Sequence, residues 1–357
     1  MMSTKGSDQM LAVTTSGNGS VEVREMPRPT IQDPGDAVLK VTAAAICGTD
    51  VHFVKHPFVP PDKALGHEFL GTVVETAPDV HHVSVGDRVL SKMFVACGRC
   101  HACRTARQNR CERYQLFGGG VLHGGQAEYV RVPHADLTLT SLDDSVSDYD
   151  ALVLTDILPT AWDALDRPGF QSGQTVAVVG GGPVGQLIAH LALARGAAEV
   201  YVLDLDDRRL KRAESLGAIP VRGGEGASRR LLELTGGRGV DLALDAVGAV
   251  PALETAMGSV VFGGSVGLVG VLLAGDLPFT AQNLFQRQVT VVPITGNPYV
   301  ANDYLSALIS SKRIAPGQVV DHEASLTDAV ETYQRFIARD IVKAVLRPDL
   351  PTGHSTS

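Results

Sequence analysis

The stretch TVAVVGGGPVGQLIAHLALARGAAEVYVLD, residues 175–204, decides the fold. Thr175–Val179 is a short β-branched apolar run and reads as a buried strand. Gly180-Gly181-Gly182-Pro183-Val184-Gly185 follows with the G-x-G-x-x-G spacing and opens a helical pattern over Pro183–Arg195. Val200–Asp204 is a second strand, and Asp204 stands at its end, nineteen residues past Gly185. A glycine pattern alone is weak in a chain with 38 glycines. Strand, glycine turn, helix, strand and terminal acid in that order are specific for a dinucleotide site. The glycines let the backbone approach a pyrophosphate, which rests on the helix N-terminus. Asp204 would accept hydrogen bonds from the adenosine ribose and repel a 2′-phosphate, so NAD is expected over NADP. Arg208 and Arg209 pull the other way.

Working outward, the pattern continues as strand–helix units. A helix is expected over Asp207–Leu216, stopped by Gly217, then a strand over Ala218–Val221 and a helix over Ser228–Leu234. Strand Asp241–Asp245, a short helix Pro251–Gly258 and apolar strands Val260–Val269 and Val289–Val292 follow. Alternating β and α with apolar strands means a doubly wound parallel sheet. Upstream, Val21–Glu25, Ala37–Ile46, Phe69–Thr76 and Asp87–Leu90 read as strands, so the first third is mostly β. Helical spacing begins at Tyr149 and runs to Leu165. After Tyr299 come a helix (Ala301–Ser311), a strand near Val319, a helix (Leu326–Ala338) and a strand (Val342–Leu346), with a polar tail after Pro348 expected to be disordered. The C-terminal segment is expected to return to the first domain. That gives a β-rich domain over 1–155 and 297–357, and an inserted α/β domain over 156–296.

Two ligand-rich clusters stand out. Cys47-Gly48-Thr49-Asp50-Val51-His52 is followed, fourteen positions on from His52, by Gly66-His67-Glu68. These donors suit zinc, although a buried cysteine and a hydrogen-bonded histidine without metal would look the same. The second cluster is Cys97-x2-Cys100-x2-Cys103-x7-Cys111. Four thiols at that spacing suit a closed, structural tetrahedral zinc, which makes 95–113 a structural-zinc lobe. Arg99, Arg104, Arg107, Arg110 and Arg113 would offset its charge. An iron–sulfur cluster is the rival, because C-x2-C-x2-C also opens ferredoxin patterns.

The net charge of −8 argues against a nucleic-acid surface. Met1–Met10 has no apolar h-region, so no secretory signal is read there and a cytoplasmic location is expected. The uncharged stretches Ser172–Ala194 and Thr255–Gly275 are broken by glycines, so membrane insertion is not expected. Crowded cysteines without a secretion signal read as metal binding rather than disulfides.

Cys47-Gly48-Thr49-Asp50-x-His52, Gly66-His67-Glu68, Gly86-Asp87-Arg88-Val89, the four-cysteine lobe and the Gly180–Gly185 turn with Asp204 occur together in order. In this the chain resembles the zinc-dependent medium-chain alcohol dehydrogenases. The resemblance implies a GroES-like catalytic domain with a Rossmann domain, two zinc ions per chain, and hydride transfer between a small alcohol, aldehyde or ketone and NAD. It implies Cys47, His67 and Asp156 as ligands of a catalytic zinc. It makes Asp50 the partner of His67, Thr49 and His52 a proton relay, and Glu68 a residue that reaches the metal or replaces its water in some relatives. Cys97, Cys100, Cys103 and Cys111 would hold the structural zinc. Gly180, Gly182, Pro183, Val184, Gly185, Asp204, Arg209, Val247, Val269 and Val271 would line the cofactor, and Lys343 would reach its pyrophosphate. Met93, Leu116, Phe117 and Trp162 would line the substrate pocket, although apolar residues serve equally as core. A homodimer or homotetramer is implied. The rivals are a polyol or formaldehyde/glutathione-adduct dehydrogenase of the same family, a zinc-free quinone reductase, and a catalytically silent, zinc-stabilised binding protein.

Overall fold

The structure is a computed structural model and describes residues 8–17, 19–55, 59–272, 276–353 and 355–356. Parts of the polar N-terminus and of the Thr255–Gly275 stretch, residues 1–7 and 273–275, lie outside the described residues. Among the described residues no helix is long and apolar enough to cross a membrane.

Two compact units emerge. The first comprises Met1–Asp156, Pro298–Asn302 and Gly317–Ser357; the second comprises Ile157–Asn297 and Asp303–Pro316. The boundary differs from the expected 297–357 block. Helix Pro298–Ser310 starts in the first unit and ends in the second, where Tyr304 stacks on Trp162.

In the second unit a six-stranded parallel sheet runs in the order Ile219–Arg222, Glu199–Asp204, Thr175–Val179, Val240–Asp245, Val260–Leu268, Thr290–Pro293. Numbered within the unit that is 3-2-1-4-5-6, the doubly wound order, with its reversal beside Thr175–Val179. Val176, Ala177 and Val178 are all fully buried, so both faces of the strand are covered. This explains why the strands read as continuous apolar runs rather than alternating ones.

In the first unit the long strand Ala37–Ala45 pairs antiparallel with Glu68–Thr76, Tyr129–Val132 and Ala344–Arg347. Three expectations fail here. The helical stretch from Tyr149 is two helices, Asp148–Val153 and Ile157–Asp166, separated by Leu154-Thr155-Asp156. The strand near Val319 is a 3-10 turn, Pro316–Val319, and the strand is His322–Ser325, stapled to Ala344–Arg347. The tail does not leave the fold: Ser355–Thr356 pairs with His322–Ser325, and the Gly353 N–H donates to Asp328 Oδ2 at 2.8 Å. A polar composition does not preclude pairing with an exposed sheet edge.

Candidate active site and metal centres

The strand pairing assembles the first cluster. Ala45 lies opposite Glu68, so Cys47 and His67 emerge just beyond the paired ends of neighbouring strands. Asp156 arrives from the break between the two helices, the first of which is capped by Ser147. One ligand atom from each of Cys47, His67, Glu68 and Asp156 lies within 4.8 Å of the others. Asp156 Oδ2 is 3.7 Å from Cys47 Sγ and 3.2 Å from His67 Nε2. Ligands at zinc bond lengths and tetrahedral angles sit about 3.3–3.5 Å apart, so this donor set fits zinc.

Burial pushes the Cys47 thiol up, although His67 pulls against it. Burial would lower the His67 pKa, but Asp50, Cys47 and Asp156 outweigh it and lift the imidazole well above its ordinary value. A cation is what this pocket favours, and a metal ion takes the place of the protons when it binds.

Behind the ligands, Asp50 Oδ1 lies 3.3 Å from His67 Nδ1. Glu68 Oε1 accepts from Lys343 Nζ at 2.6 Å, while Glu68 Oε2 has no hydrogen-bond partner among the described residues. Thr49 Oγ1 lies 3.7 Å from Cys47 Sγ. His52 is exposed on the same helix, and no hydrogen bond joins it to Thr49 among the described residues.

The four remaining cysteines form a second group whose Sγ atoms all lie within 4.8 Å. Cys100 and Cys111 sulfurs are 3.9 Å apart, against about 3.8 Å for two thiolates on a tetrahedral zinc. The backbone N–H groups of Cys97 and Arg113 donate to Cys111 Sγ, both at 3.3 Å. Backbone donors at Glu112 and Cys103 hold the Cys100 thiol down at about 6, while burial and the neighbouring Cys100 and Cys111 push Cys103 up to about 12. All five cysteines are free thiols.

In the second unit Gly182 caps helix Pro183–Ala194 with Pro183 in its first turn. A Cβ on Gly185 would run into Gly180 O, so only glycine lets strand and helix meet this closely. Asp204 Oδ2 accepts from Gly181 N at 2.6 Å and Oδ1 from Asp206 N at 2.9 Å, while Arg209 Nη1 stands 3.7 Å away. Val247 and Val271 are half-exposed past the ends of their strands, and the Val269 N–H is held by Asp245 O at 2.9 Å.

One sequence expectation needs correction, and the apolar residues expected at the substrate have definite packing partners. Lys343 does not reach out towards a pyrophosphate; it is 1% exposed and committed to Glu68 and to Ile46 O. Met93 and Leu116 pack with Phe94, Cys103 and Cys111 in the core of the cysteine lobe. Phe117 is fully buried edge-on to Phe69. Trp162 stacks on Tyr304 with Arg195 over its ring at 4.5 Å.

Sequence reasoning missed Tyr114, Gln126 and Tyr333. Burial raises the Tyr114 phenol to about 12, and the charges of His67 and Asp156 act on it as well. Gln126 and Tyr333 are buried polar residues bonded to each other at 2.8 Å, and Gln126 reaches Asp50 at 3.1 Å. No spacing motif contains them.

Residues 33–142 match the alcohol dehydrogenase GroES-like domain, and residues 183–310 the zinc-binding dehydrogenase family. A Mycobacterium tuberculosis protein named "Probable zinc-binding alcohol dehydrogenase" is 36% identical over 345 residues, covering 95% of this chain and 89% of the relative. This chain belongs to the zinc-dependent medium-chain alcohol dehydrogenase family. The dehydrogenase superposes on the alcohol dehydrogenase TADH from Thermus sp. ATN1 with a TM-score of 0.90 and 35% identity, over 95% of this chain and 99% of that one. A zinc-binding dehydrogenase from Sinorhizobium meliloti, solved bound to NADP, gives a TM-score of 0.85 at 27% identity, over 95% and 99% of the two chains. The first unit of the dehydrogenase is thus GroES-like and the second Rossmann-like, and the protein is a zinc-dependent alcohol oxidoreductase using a nicotinamide cofactor.

Proposed function

We propose that the dehydrogenase moves hydride between a small-to-medium primary or secondary alcohol and NAD, with Cys47, His67 and Asp156 holding a catalytic zinc. The observation that carries this reading is the pair of separate donor groups, one mixed and one all-thiol. The mixed group has three protein donors with a fourth, Glu68, partly engaged elsewhere, which suits an open catalytic position. The all-thiol group Cys97, Cys100, Cys103 and Cys111 has no such opening, and we assign it a structural zinc, making two per chain. A complete mixed set speaks against the silent binding protein and the zinc-free reductase.

When bound, zinc supplies a Lewis acid that lowers the pKa of an alcohol, and the nicotinamide supplies the hydride acceptor. The chain's own residues position and move protons. The Thr49 hydroxyl, beside Cys47, takes the proton released by the alcohol. Exposed His52, on the same helix as Thr49, would pass it to solvent. Asp50 holds the His67 imidazole in the tautomer that presents Nε2 to the ligand cluster.

Gly182, Val184 and Gly185 would present backbone N–H groups to the pyrophosphate, Gly180 with its N–H held by Leu203 O would shape the turn, Pro183 would open the helix, and Asp204 with Arg209 would receive the adenosine ribose. Asp204 supports NAD over NADP, because a fixed carboxylate disfavours a 2′-phosphate. Val247, Val269 and Val271 line the cofactor's path at the strand ends. We extend the reading to a cytoplasmic homodimer or homotetramer on family grounds, which fractionation and light scattering measure.

Metal counting combined with turnover tests the whole reading. Two zincs per chain, one of them lost in Cys47→Ser, are expected with NAD-dependent oxidation somewhere in a panel of simple alcohols, polyols and the formaldehyde–glutathione adduct. Full alcohol turnover by metal-free protein overturns it.

A further inference from the structure

His67 is held in place by a chain of buried side chains that runs well beyond Asp50. Asp50 Oδ2 accepts from the Cys47 N–H at 2.9 Å and from Gln126 Nε2 at 3.1 Å. Its other oxygen faces His67 Nδ1 at 3.3 Å, and neither of those two atoms has another hydrogen-bond partner among the described residues. Gln126 Nε2 also donates to Ala45 O at 3.2 Å, and Gln126 Oε1 accepts from the Tyr333 hydroxyl at 2.8 Å. Asp50 and Gln126 are fully enclosed, Tyr333 is 1% exposed and His67 2%.

Each link constrains the next. Turning the Gln126 amide over would set its carbonyl against the Asp50 carboxylate and Ala45 O, and its NH₂ against Tyr333, so one orientation is favoured. In that orientation Asp50 Oδ2 is saturated by two donors and Oδ1 is left for the imidazole N–H. That assigns the proton to Nδ1 and leaves Nε2, the atom nearest Asp156, as the free lone pair.

The local sequence is shaped to admit Gln126. Gly66, immediately before His67, has φ +91°, and a Cβ there would overlap the Gln126 stem. The glycine of Gly66-His67-Glu68 is therefore the gap through which Gln126 reaches Asp50. Tyr333 comes from helix Ala329–Ile337, 207 residues further along the chain.

We propose that Gln126 and Tyr333 are positioning residues for the metal centre: by orienting Asp50 they set the tautomer and angle of His67 and thereby the zinc affinity of the Cys47 site. The proposal rests on the assignment of zinc to that site. Removing outer partners of a metal-bound histidine weakens metal binding by about 10–100-fold.

The test is chelator competition at a temperature far below unfolding, using intact full-length protein and zinc alone, on wild type, Tyr333→Phe, Gln126→Met and Cys47→Ser. Cobalt(II) substitution reports the ligand field at the Cys47 site. Tyr333→Phe is expected to weaken the Cys47-dependent zinc several-fold and Gln126→Met about 10–100-fold, with altered cobalt spectra and no change in the zinc that Cys47→Ser leaves behind. Variants that melt earlier but compete and absorb as wild type overturn the positioning role and make the chain merely structural. Tyr333→Phe deletes one hydroxyl and carries the test alone should Gln126→Met fail to fold. Wild type with no Cys47-dependent zinc overturns the zinc assignment, and the positioning role with it.

Discussion

Lys343 Nζ lies 2.6 Å from Glu68 Oε1, with the two side chains 1% and 0% exposed. Burial works against the ammonium charge, but Glu68 and the nearby Cys47 and Asp156 outweigh it and raise the Lys343 pKa above its ordinary value. One Glu68 oxygen is thus spoken for, the other has no hydrogen-bond partner among the described residues, and a carboxylate oxygen of Glu68 lies within 4.8 Å of the other metal-ligand atoms. Removing one partner of a buried pair leaves an uncompensated charge, which costs about 3–5 kcal/mol. Lys343→Met should lose stability of that order in the metal-free protein by chemical denaturation. Zinc should restore part of it, because the freed carboxylate has an ion to face. Zinc is therefore expected to raise the melting temperature of Lys343→Met more than that of wild type, and an equal or smaller rise sinks the coupling between this pair and the metal.

The two cysteine sites should fail differently. Cys47→Ser removes a ligand from the mixed set and should abolish turnover while the separate glycine turn still binds NAD by calorimetry. Cys97→Ser opens the all-thiol set, whose four sulfurs converge within 4.8 Å. Structural zinc contributes directly to folding, so the Cys97 variant should melt well below wild type and shed metal on dilution. Should both variants keep full stability and lose only activity, the structural assignment fails.

The α/β unit was legible because its information is local. Each strand and helix lies within about thirty residues of the glycine turn or repeats the same alternation, and the sheet order follows from right-handed crossovers. The four thiols were legible for the same reason. Asp156 was different: nothing in Leu154-Thr155-Asp156 marks it as a ligand, and it emerged through the family resemblance. The structure adds that it sits where two helices break. Gly66 was readable as part of a motif, but its cause, the stem of Gln126 sixty residues later, was not. Lys343 was misread because a lysine just before strand Ala344–Arg347 gives no hint that its partner stands 275 residues earlier.

A change of cofactor preference should follow from Asp204. Its carboxylate is held by the Gly181 and Asp206 N–H groups at the end of strand Glu199–Asp204, with Arg209 3.7 Å away. Asp204→Ser removes the negative charge and leaves Arg209 to meet a 2′-phosphate. The ratio of kcat/KM for NADP over NAD should rise at least about tenfold, equivalent to about 1.4 kcal/mol. An unchanged ratio would show that Asp204 does not face the ribose.

Stability should depend on pH through Asp163, a buried carboxyl on helix Ile157–Asp166. Burial raises its pKa to about 7, only partly opposed by Arg167 and by the Asn297 N–H. The sign follows from proton counting. Below the ordinary carboxylate range both folded and unfolded chains hold the proton, and there is no penalty. Between that range and about 7 the folded state holds a proton that the unfolded state has lost, so stability falls as pH rises, and above about 7 the penalty is complete. Asp163→Asn keeps the shape and the acceptor oxygen but removes the ionisation. The variant should be more stable than wild type by about 2–4 kcal/mol at pH 8. That advantage should shrink to about 1 kcal/mol at pH 4.5, where the unfolded carboxyl is still mostly ionised, and urea denaturation of both proteins at the two pH values measures it. An advantage that stays constant with pH would mean that Asp163 titrates normally and that burial does not govern it.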